Sequence, residues 1–173
     1  MPQAQIHELD WGESVKLGDL TLFSGAAQHY SGRGLTDRNE TLWGSWTIVG
    51  PQHRAFYAGD TGYTPHFKQL GERFGPIDLT IIKIGAYGPG VVWTEVHMTA
   101  EQAVLAHVDL RGKRMLPVHW ATFNMAHHDW NEPPELALKA AREKGVDMVT
   151  PRVGEKLTAG EVFVSTTWWR EVK

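Results

Sequence analysis

The chain has 173 residues, a formal net charge of −3 and no cysteine. This length fits one domain, and 42% hydrophobic residues with eight tryptophans supply enough apolar surface for a core. The charges are interspersed and form no basic stripe, which argues against nucleic acid as a partner. Without cysteine, disulfides and thiolate metal sites are excluded, so any zinc ion must use histidine and carboxylate ligands.

The sequence also predicts where the protein resides. Residues 1–5 contain neither the basic nor the apolar segment of a signal peptide. No apolar run reaches the roughly 18 residues that a membrane-spanning helix needs. We therefore expect a cytoplasmic protein without a transmembrane segment.

Two β-hairpins are predicted in the first third of the chain. Residues 13–28 alternate in hydrophobicity around a Gly18-Asp19 turn, and residues 42–49 pair with residues 54–58 across a loop that contains glycine and proline. The second hairpin leads directly into Asp60. Strands of this kind form antiparallel pairs.

From residue 64 onwards, the pattern indicates helices alternating with strands. The periodic apolar positions of 64–74 predict a helix, and the β-branched run 78–84 predicts a strand buried on both faces. We interpret 85–98 as a long loop and 100–110 as a helix capped by Thr99, with Gln102 completing a capping box.

The remaining elements are short. Residues 115–119, 147–150 and 161–166 are predicted strands, and 135–144 is a predicted helix ended by Gly145. The whole pattern is mixed α/β (α+β), and no linker or repeat divides the chain.

Three predicted strands lead into residues of types that can bind metals, namely His29, Asp60 and His119. Strand ends of one sheet commonly open onto the same edge, so these side chains are candidates for convergence. Imidazole nitrogen and carboxylate oxygen are the ligands that zinc takes when thiolates are absent. Two other interpretations stand beside this one: Asp60 also fits a turn or a helix N-cap, and a lone histidine at a strand end is often structural.

Five segments resemble the metallo-β-lactamase superfamily, and in particular its branch around N-acylphosphatidylethanolamine phospholipase D and related bacterial hydrolases. They occur in the same order as in that family. The segments are AQHYSGR at 27–33, GDTGY at 59–63, IGAY at 84–87, HMTAEQA at 97–103 and PVHWATF at 117–123.

The resemblance implies an αββα sandwich and a site with two zinc ions. His29 would bind one ion, His119 the other, and Asp60 would bridge them. Asp60 and His97 would be the catalytic residues, with metal-bound hydroxide attacking phosphorus or a carbonyl, although His97 also fits an ordinary residue before a helix. The implied pocket is aromatic, and we assign to substrate binding Tyr63, Tyr87, Trp120 and His128, the last of which also fits a solvated polar loop.

One departure from the family matters for function. Its first metal motif, His-x-His-x-Asp-His, does not occur in this sequence. We therefore interpret residues 1–173 as a single partial domain, the C-terminal half of the sandwich, with a mixed sheet and helices on one face. We expect a truncated reading frame, a deliberate fragment or one subunit of a split protein.

Two functions follow. One is a zinc-dependent phosphodiesterase similar to phospholipase D, acting on N-acylphosphatidylethanolamine-type or related small or lipid-like esters. The alternative is an inactive half-domain that self-associates or pairs with a complementary N-terminal half.

Overall fold

The computed structural model describes residues 6–123 and 126–172. Seven strands form one sheet: β1 Ser14–Leu17, β2 Leu20–Ala26, β3 Gly44–Val49, β4 Arg54–Tyr57, β5 Ile77–Lys83, β6 Gly112–Val118 and β7 Asp147–Met148. The described helices are α1 His66–Phe74, α2 Val91–Val96, α3 Ala100–Asp109 and α4 Glu132–Lys144, followed by a short 3₁₀ turn at Trp168–Glu171.

The strands lie in the sheet in chain order, from β1 to β7. The first four pair antiparallel, through the two predicted hairpins, and β4 to β7 pair in parallel. Parallel neighbours require crossover connections, which α1, α3 and α4 supply. The predicted mixed α/β fold is confirmed.

One face of the sheet packs against helices. Phe56, Thr80 and Met115 are in register on neighbouring strands and are fully buried. The Phe56 ring meets Phe67 of α1 edge to face, with the ring centroids 6.1 Å apart. Thr80 Oγ1 lies 2.7 Å from the Nδ1 atom of His107 in α3. The hydrophobic core therefore lies between this face and the helices.

The opposite face carries partly exposed apolar side chains. Trp46, Tyr57, Ile81 and Leu116 are also in register across four strands. Tyr57 is 45% exposed, and the other three are half-buried. Because successive strand residues point to opposite faces, this row lies away from the buried row at Phe56 and Thr80. We call these four residues the open face.

The capping box predicted for α3 is confirmed, since Thr99 and Gln102 exchange both hydrogen bonds. Other boundaries differ from the prediction. The loop 85–98 contains α2, which ends where the His97 N–H donates to the carbonyl of Trp93. Strand β6 begins at Gly112, three residues early, because its parallel pairing with β5 starts there. Helix α4 also begins three residues early, with prolines in its first turn, where a missing N–H is tolerated.

The strand predicted at 161–166 is wrong. This segment lies beside β7 through side-chain contacts instead of a backbone ladder: Ser165 Oγ donates to the Met148 carbonyl, and Thr150 Oγ1 donates to the Thr166 carbonyl. Val162 and Val164 are 91% and 79% exposed. The alternating valines therefore gave the hydrophobic pattern of a strand, although their side chains are exposed and pack against no core.

Among residues 6–123 and 126–172, no helix is long and apolar enough to cross a membrane.

His107 makes fold stability depend on pH. Its side chain is 2% exposed, and burial lowers its pKa to about 4 from an ordinary 6.5, against the opposing charge of Asp147. Below pH 6.5 His107 takes up a proton in the unfolded chain, whereas in the folded chain it stays neutral until the pH approaches 4. The contribution of His107 to the free energy of unfolding is therefore fully present above pH 6.5 and is lost as the pH falls towards 4. We expect a loss of about 3 kcal/mol across this window.

The measurement is the free energy of unfolding by urea at pH 7 and pH 4.5, for the wild type and for His107→Gln. Glutamine keeps a hydrogen-bonding group near Thr80 but does not titrate in this window. The variant should lose less stability than the wild type between the two pH values. Equal losses in the two proteins would contradict this assignment.

Candidate functional site

Asp60 is held in a loop that starts at the end of β4. The Ala58 N–H donates to the Ile81 carbonyl at 3.0 Å, which fixes the exit from the strand. Gly59 then adopts a positive φ of 63°, and a Cβ on it would lie 2.5 Å from the Gly44 carbonyl oxygen. Only glycine fits there without displacement of the backbone, so this residue determines where Asp60 is placed.

Hydrogen bonds from this loop tie three parts of the chain together. The backbone N–H of Gln28 donates to Thr61 Oγ1 at 2.8 Å, and the N–H of Gly62 donates to the Gln28 carbonyl at 2.9 Å. The N–H of Met98 donates to the Thr61 carbonyl at 3.2 Å. As a result, His29 and His97, each one residue along from these contacts, come to the same edge of the sheet as Asp60.

His119 directly follows β6 and reaches Asp60. Its Nε2 atom lies 3.3 Å from Asp60 Oδ1. Its φ of 61° is unusual for a residue with a side chain, and its carbonyl oxygen would lie 2.4 Å from a Cβ on Gly85. Such strained conformations persist only where the surroundings hold them, and they concentrate at functional sites.

The charge of Asp60 is stabilised by its neighbours. His119 is the largest influence, and together with Lys83 and His97 it lowers the pKa of Asp60 to about 2, although burial opposes the shift. His119 Nε2 approaches Asp60 Oδ1 at 3.3 Å, but the geometry leaves this buried oxygen without a hydrogen-bond partner. Asp60 is therefore ionised throughout the neutral pH range.

His29 presents a free nitrogen. Its Nδ1 lies 2.9 Å from the carbonyl oxygen of Tyr30, which accepts a hydrogen bond and so fixes the proton on Nδ1. The other nitrogen, Nε2, is buried and has no hydrogen-bond partner. Buried polar atoms are rarely left unpaired, and a carbonyl contact of this kind orients histidine ligands in metal sites.

Lys83 is a site residue that the sequence interpretation missed. It ends β5, its side chain is 1% exposed, and its Nζ lies 3.9 Å from Asp60 Oδ1 and contacts Nδ1 of His97. Burial lowers the pKa of Lys83 to about 7, and the charge of Asp60 opposes this shift. A lysine within the apolar run 78–84 was the available signal, because an apolar strand buried on both faces has little room for a charge.

The histidines surround one cavity. The His97 ring centroid lies 5.3 Å from that of His29 and 5.9 Å from that of His119. Together with Asp60 they line a cavity of about 540 Å³. Its other walls are mainly aromatic or apolar and include Tyr30, Trp93, Trp120, Phe123 and Trp130.

Of the four residues assigned to substrate binding, Trp120 and His128 line this cavity. Both ring nitrogens of His128 are occupied, since Nε2 accepts from the Ala86 N–H at 3.0 Å and Nδ1 lies 2.9 Å from the Asp129 carbonyl oxygen. His128 thus supports the loop after β5. The ring of Tyr87 packs against that of His128 at an interplanar angle of 34°, with ring centroids 4.4 Å apart.

Tyr63 lies elsewhere. Its hydroxyl donates to Asp109 Oδ2 at 2.5 Å, and its ring stacks on Phe67 of α1. It joins α1 to α3 and is not among the described residues that line the cavity. Its position after the glycine loop led us to predict that it lines the substrate cavity, but its side chain points towards α1 and α3.

The donor atoms fit a metal in kind, since Nε2 of His29 and Oδ1 of Asp60 are both buried and unpaired. They do not form a complete set. Within residues 6–123 and 126–172, no three histidine, aspartate or glutamate side chains are grouped closely enough to hold an ion. Convergence of the metal-binding atoms of His29, Asp60 and His119 on a common point stays a prediction.

Comparison with known proteins places this geometry in a family. A family model described as a beta-lactamase superfamily domain matches residues 2–120. An uncharacterized protein of Mycobacterium tuberculosis is 46% identical over 173 residues, covering 98% of this chain and 46% of that protein. The N-acyl-phosphatidylethanolamine-hydrolyzing phospholipase D 1 of Caenorhabditis elegans is 38% identical over 160 residues, covering 87% of this chain and 45% of that protein.

The chain thus spans about half the length of these curated relatives. Among solved structures, a metallo hydrolase from the archaeon Ignicoccus hospitalis superposes with a TM-score of 0.66 at 24% identity, covering 85% of this chain and 57% of that one. The family model covers more than half of the sequence, and the fold agrees with it. The chain belongs to the metallo-β-lactamase superfamily.

Proposed function

We propose that this chain supplies part of the active site of a zinc-dependent hydrolase. The observation that carries the proposal is the pair of buried, unpaired atoms, His29 Nε2 and Asp60 Oδ1, at the wall of one cavity. His119, 3.3 Å from Asp60, is the third ligand that we assign. Two zinc ions bridged by Asp60 are the arrangement that the family resemblance favours.

Zinc bound there would supply a Lewis acid and activate water near neutral pH. The chain's own residues prepare the site for this chemistry. The Tyr30 carbonyl keeps the proton of His29 on Nδ1, so that Nε2 is available as a ligand. Asp60 needs to lose no proton at neutral pH. His97 uses Nδ1 in its contact with Lys83, which leaves Nε2 to orient the leaving group.

The substrate that we infer is a phosphodiester with an apolar portion. The name of the Caenorhabditis elegans relative supports this class, because it describes hydrolysis of N-acyl-phosphatidylethanolamine. The cavity supports it as well, since Trp93, Trp120 and Trp130 give it apolar walls. Ligand cavities of about 300–1,000 Å³ accommodate molecules of drug size, and about 540 Å³ falls within this range.

The experiment is hydrolysis of bis(p-nitrophenyl) phosphate and of N-acylphosphatidylethanolamine by the zinc-loaded chain. We expect slow cleavage, because three ligands cannot fill two coordination spheres. EDTA should abolish it by removing the metal. The phosphodiesters should react faster than p-nitrophenyl butyrate, a carboxylic ester. No activity above that of free zinc would contradict the proposal, and preference for the carboxylic ester would contradict the substrate class.

A second candidate, a half-domain that needs a partner, is favoured by the open face. Trp46, Tyr57, Ile81 and Leu116 form an apolar row on the side of the sheet away from the helices. Sandwich folds bury such a face against a second sheet. We infer that residues 1–173 form one partial domain whose open face pairs with another copy or with a chain that carries the remaining ligands.

This second candidate predicts self-association of the isolated chain. We expect sedimentation velocity to show species heavier than 19.4 kDa that increase with concentration. Tyr57→Lys puts a charge on the open face and should weaken association. Val108→Lys, at a residue 44% exposed on α3, adds the same charge on the helix side and should not. A single 19.4 kDa species at every concentration would mean that the open face needs no cover.

A further inference from the structure

Lys83 stands out among the residues around the cavity because a lysine is almost never fully buried. Its side chain is 1% exposed at the end of β5. Burial of an ammonium group is costly unless an anion lies nearby. Asp60, with Oδ1 at 3.9 Å from Lys83 Nζ, is the anion that compensates for it.

The oxygen that faces Lys83 is also the oxygen proposed to bind metal. Asp60 Oδ1 is the buried, unpaired atom, and both Lys83 Nζ and His119 Nε2 approach it. A cation bound to this oxygen would lie close to the ammonium group. Like charges at such short range repel, and the burial of Lys83 limits the screening of this repulsion by water. The ammonium group of Lys83 and a metal ion would therefore compete for the carboxylate of Asp60.

We propose that Lys83 competes with a divalent metal ion for Asp60 and so weakens metal binding by this chain. The inference rests on the proposed function, since it assumes that Asp60 is a ligand. It extends that function by assigning Lys83 the role of an internal cation that balances Asp60 when no metal is bound. The metal affinity is then set by a residue that is not itself a ligand.

A purely structural role for Lys83 makes the opposite prediction. If the lysine served only to orient Asp60 and His97, its removal would loosen two site residues and weaken metal binding. If it competes, its removal frees Asp60 and tightens metal binding. The sign of the change in zinc affinity therefore separates the two roles.

The test compares Lys83→Met with the wild type by zinc titration against a chromophoric chelator at a fixed pH. Methionine has a similar length and is apolar, so it suits a buried position. We expect at least a tenfold lower Kd for zinc in Lys83→Met. The control is Lys113→Met, which removes the same charge from an exposed lysine that donates to Asp78 at 2.8 Å, and it should bind zinc as the wild type does.

A double variant locates the effect at Asp60. In Lys83→Met combined with Asp60→Asn, the gain in affinity should disappear, because the carboxylate that was freed is no longer present. Circular dichroism and thermal melting verify that each variant is folded. If Lys83→Met does not fold, Lys83→Gln replaces it, with the same expected gain.

The outcomes are distinguishable. Equal or weaker zinc binding by folded Lys83→Met overturns the inference but leaves the proposed metal site intact, provided that the wild type binds zinc. No zinc binding by the wild type or by either variant overturns both the inference and the proposed function. Zinc binding by Lys83→Met and not by the wild type supports both.

Discussion

We expect that replacing Asp60 with asparagine removes zinc binding while leaving the fold in place. Asparagine has the same shape, but it lacks the charge that a bridging ligand must supply. Loss of a hydrogen-bonding partner behind a ligand already weakens metal binding about 10- to 100-fold, so loss of the ligand itself should exceed about 100-fold. Zinc retained per chain after dialysis, measured by atomic absorption, tests this expectation.

Asp78→Asn is the matched control for this variant. It removes the same charge from a carboxylate that pairs with Lys113 at 2.8 Å. Asp78 is not among the described residues that line the cavity. Zinc retention should equal that of the wild type, and hydrolysis should follow zinc retention in both variants. If Asp60→Asn retained zinc as well as Asp78→Asn does, Asp60 would not be a ligand.

Replacing Gly71 with alanine destabilises the whole domain. A Cβ at this position of α1 would lie 2.0 Å from the Asp109 carbonyl oxygen and 2.9 Å from the Leu110 Cα, where α1 crosses the end of α3. Both contacts are with backbone, so no side-chain rotation relieves them. We expect a loss of at least about 3 kcal/mol, more than the gain of about 1 kcal/mol from alanine's helix propensity.

Differential scanning calorimetry measures the effect as a fall in Tm of roughly 6–12 °C for a chain of this size. Gly34→Ala is the control, since its Cβ would be in ordinary contact with Asp37 at 3.5 Å. It should leave Tm within about 2 °C of the wild type. Equal melting temperatures for the two variants would show that α1 and α3 are not packed as closely as described.

Local signals explain which elements were predictable from sequence. The two hairpins and the Thr99–Gln102 capping box follow from residues close together in the chain, and the structure confirms them. The segment 161–166 shows the limit of such signals, because alternation alone does not provide a backbone partner. Helix α2 was missed because the glycines and the proline before it resembled a continuous loop.

The site was predictable where each side chain follows a strand. His29, Asp60 and His119 were proposed in this way, and the structure places all three at the wall of one cavity. Most of the contacts between these side chains join distant parts of the chain and had no local signal. The carbonyl that fixes the proton on His29 was adjacent in sequence, but the contact of Lys83 with Asp60 depends on the pairing of β4 with β5.

The most direct test of the central claim is anomalous diffraction at the zinc absorption edge from crystals of the zinc-loaded chain. The account predicts zinc within bonding distance of Asp60 Oδ1, with the Nε2 atom of His29 or of His119 as a further ligand, about 2.0–2.2 Å from each ligand of a given ion. If two ions bind, Asp60 should lie between the two peaks. A peak bound only by other residues, or no peak in a crystal soaked in zinc, would contradict the account.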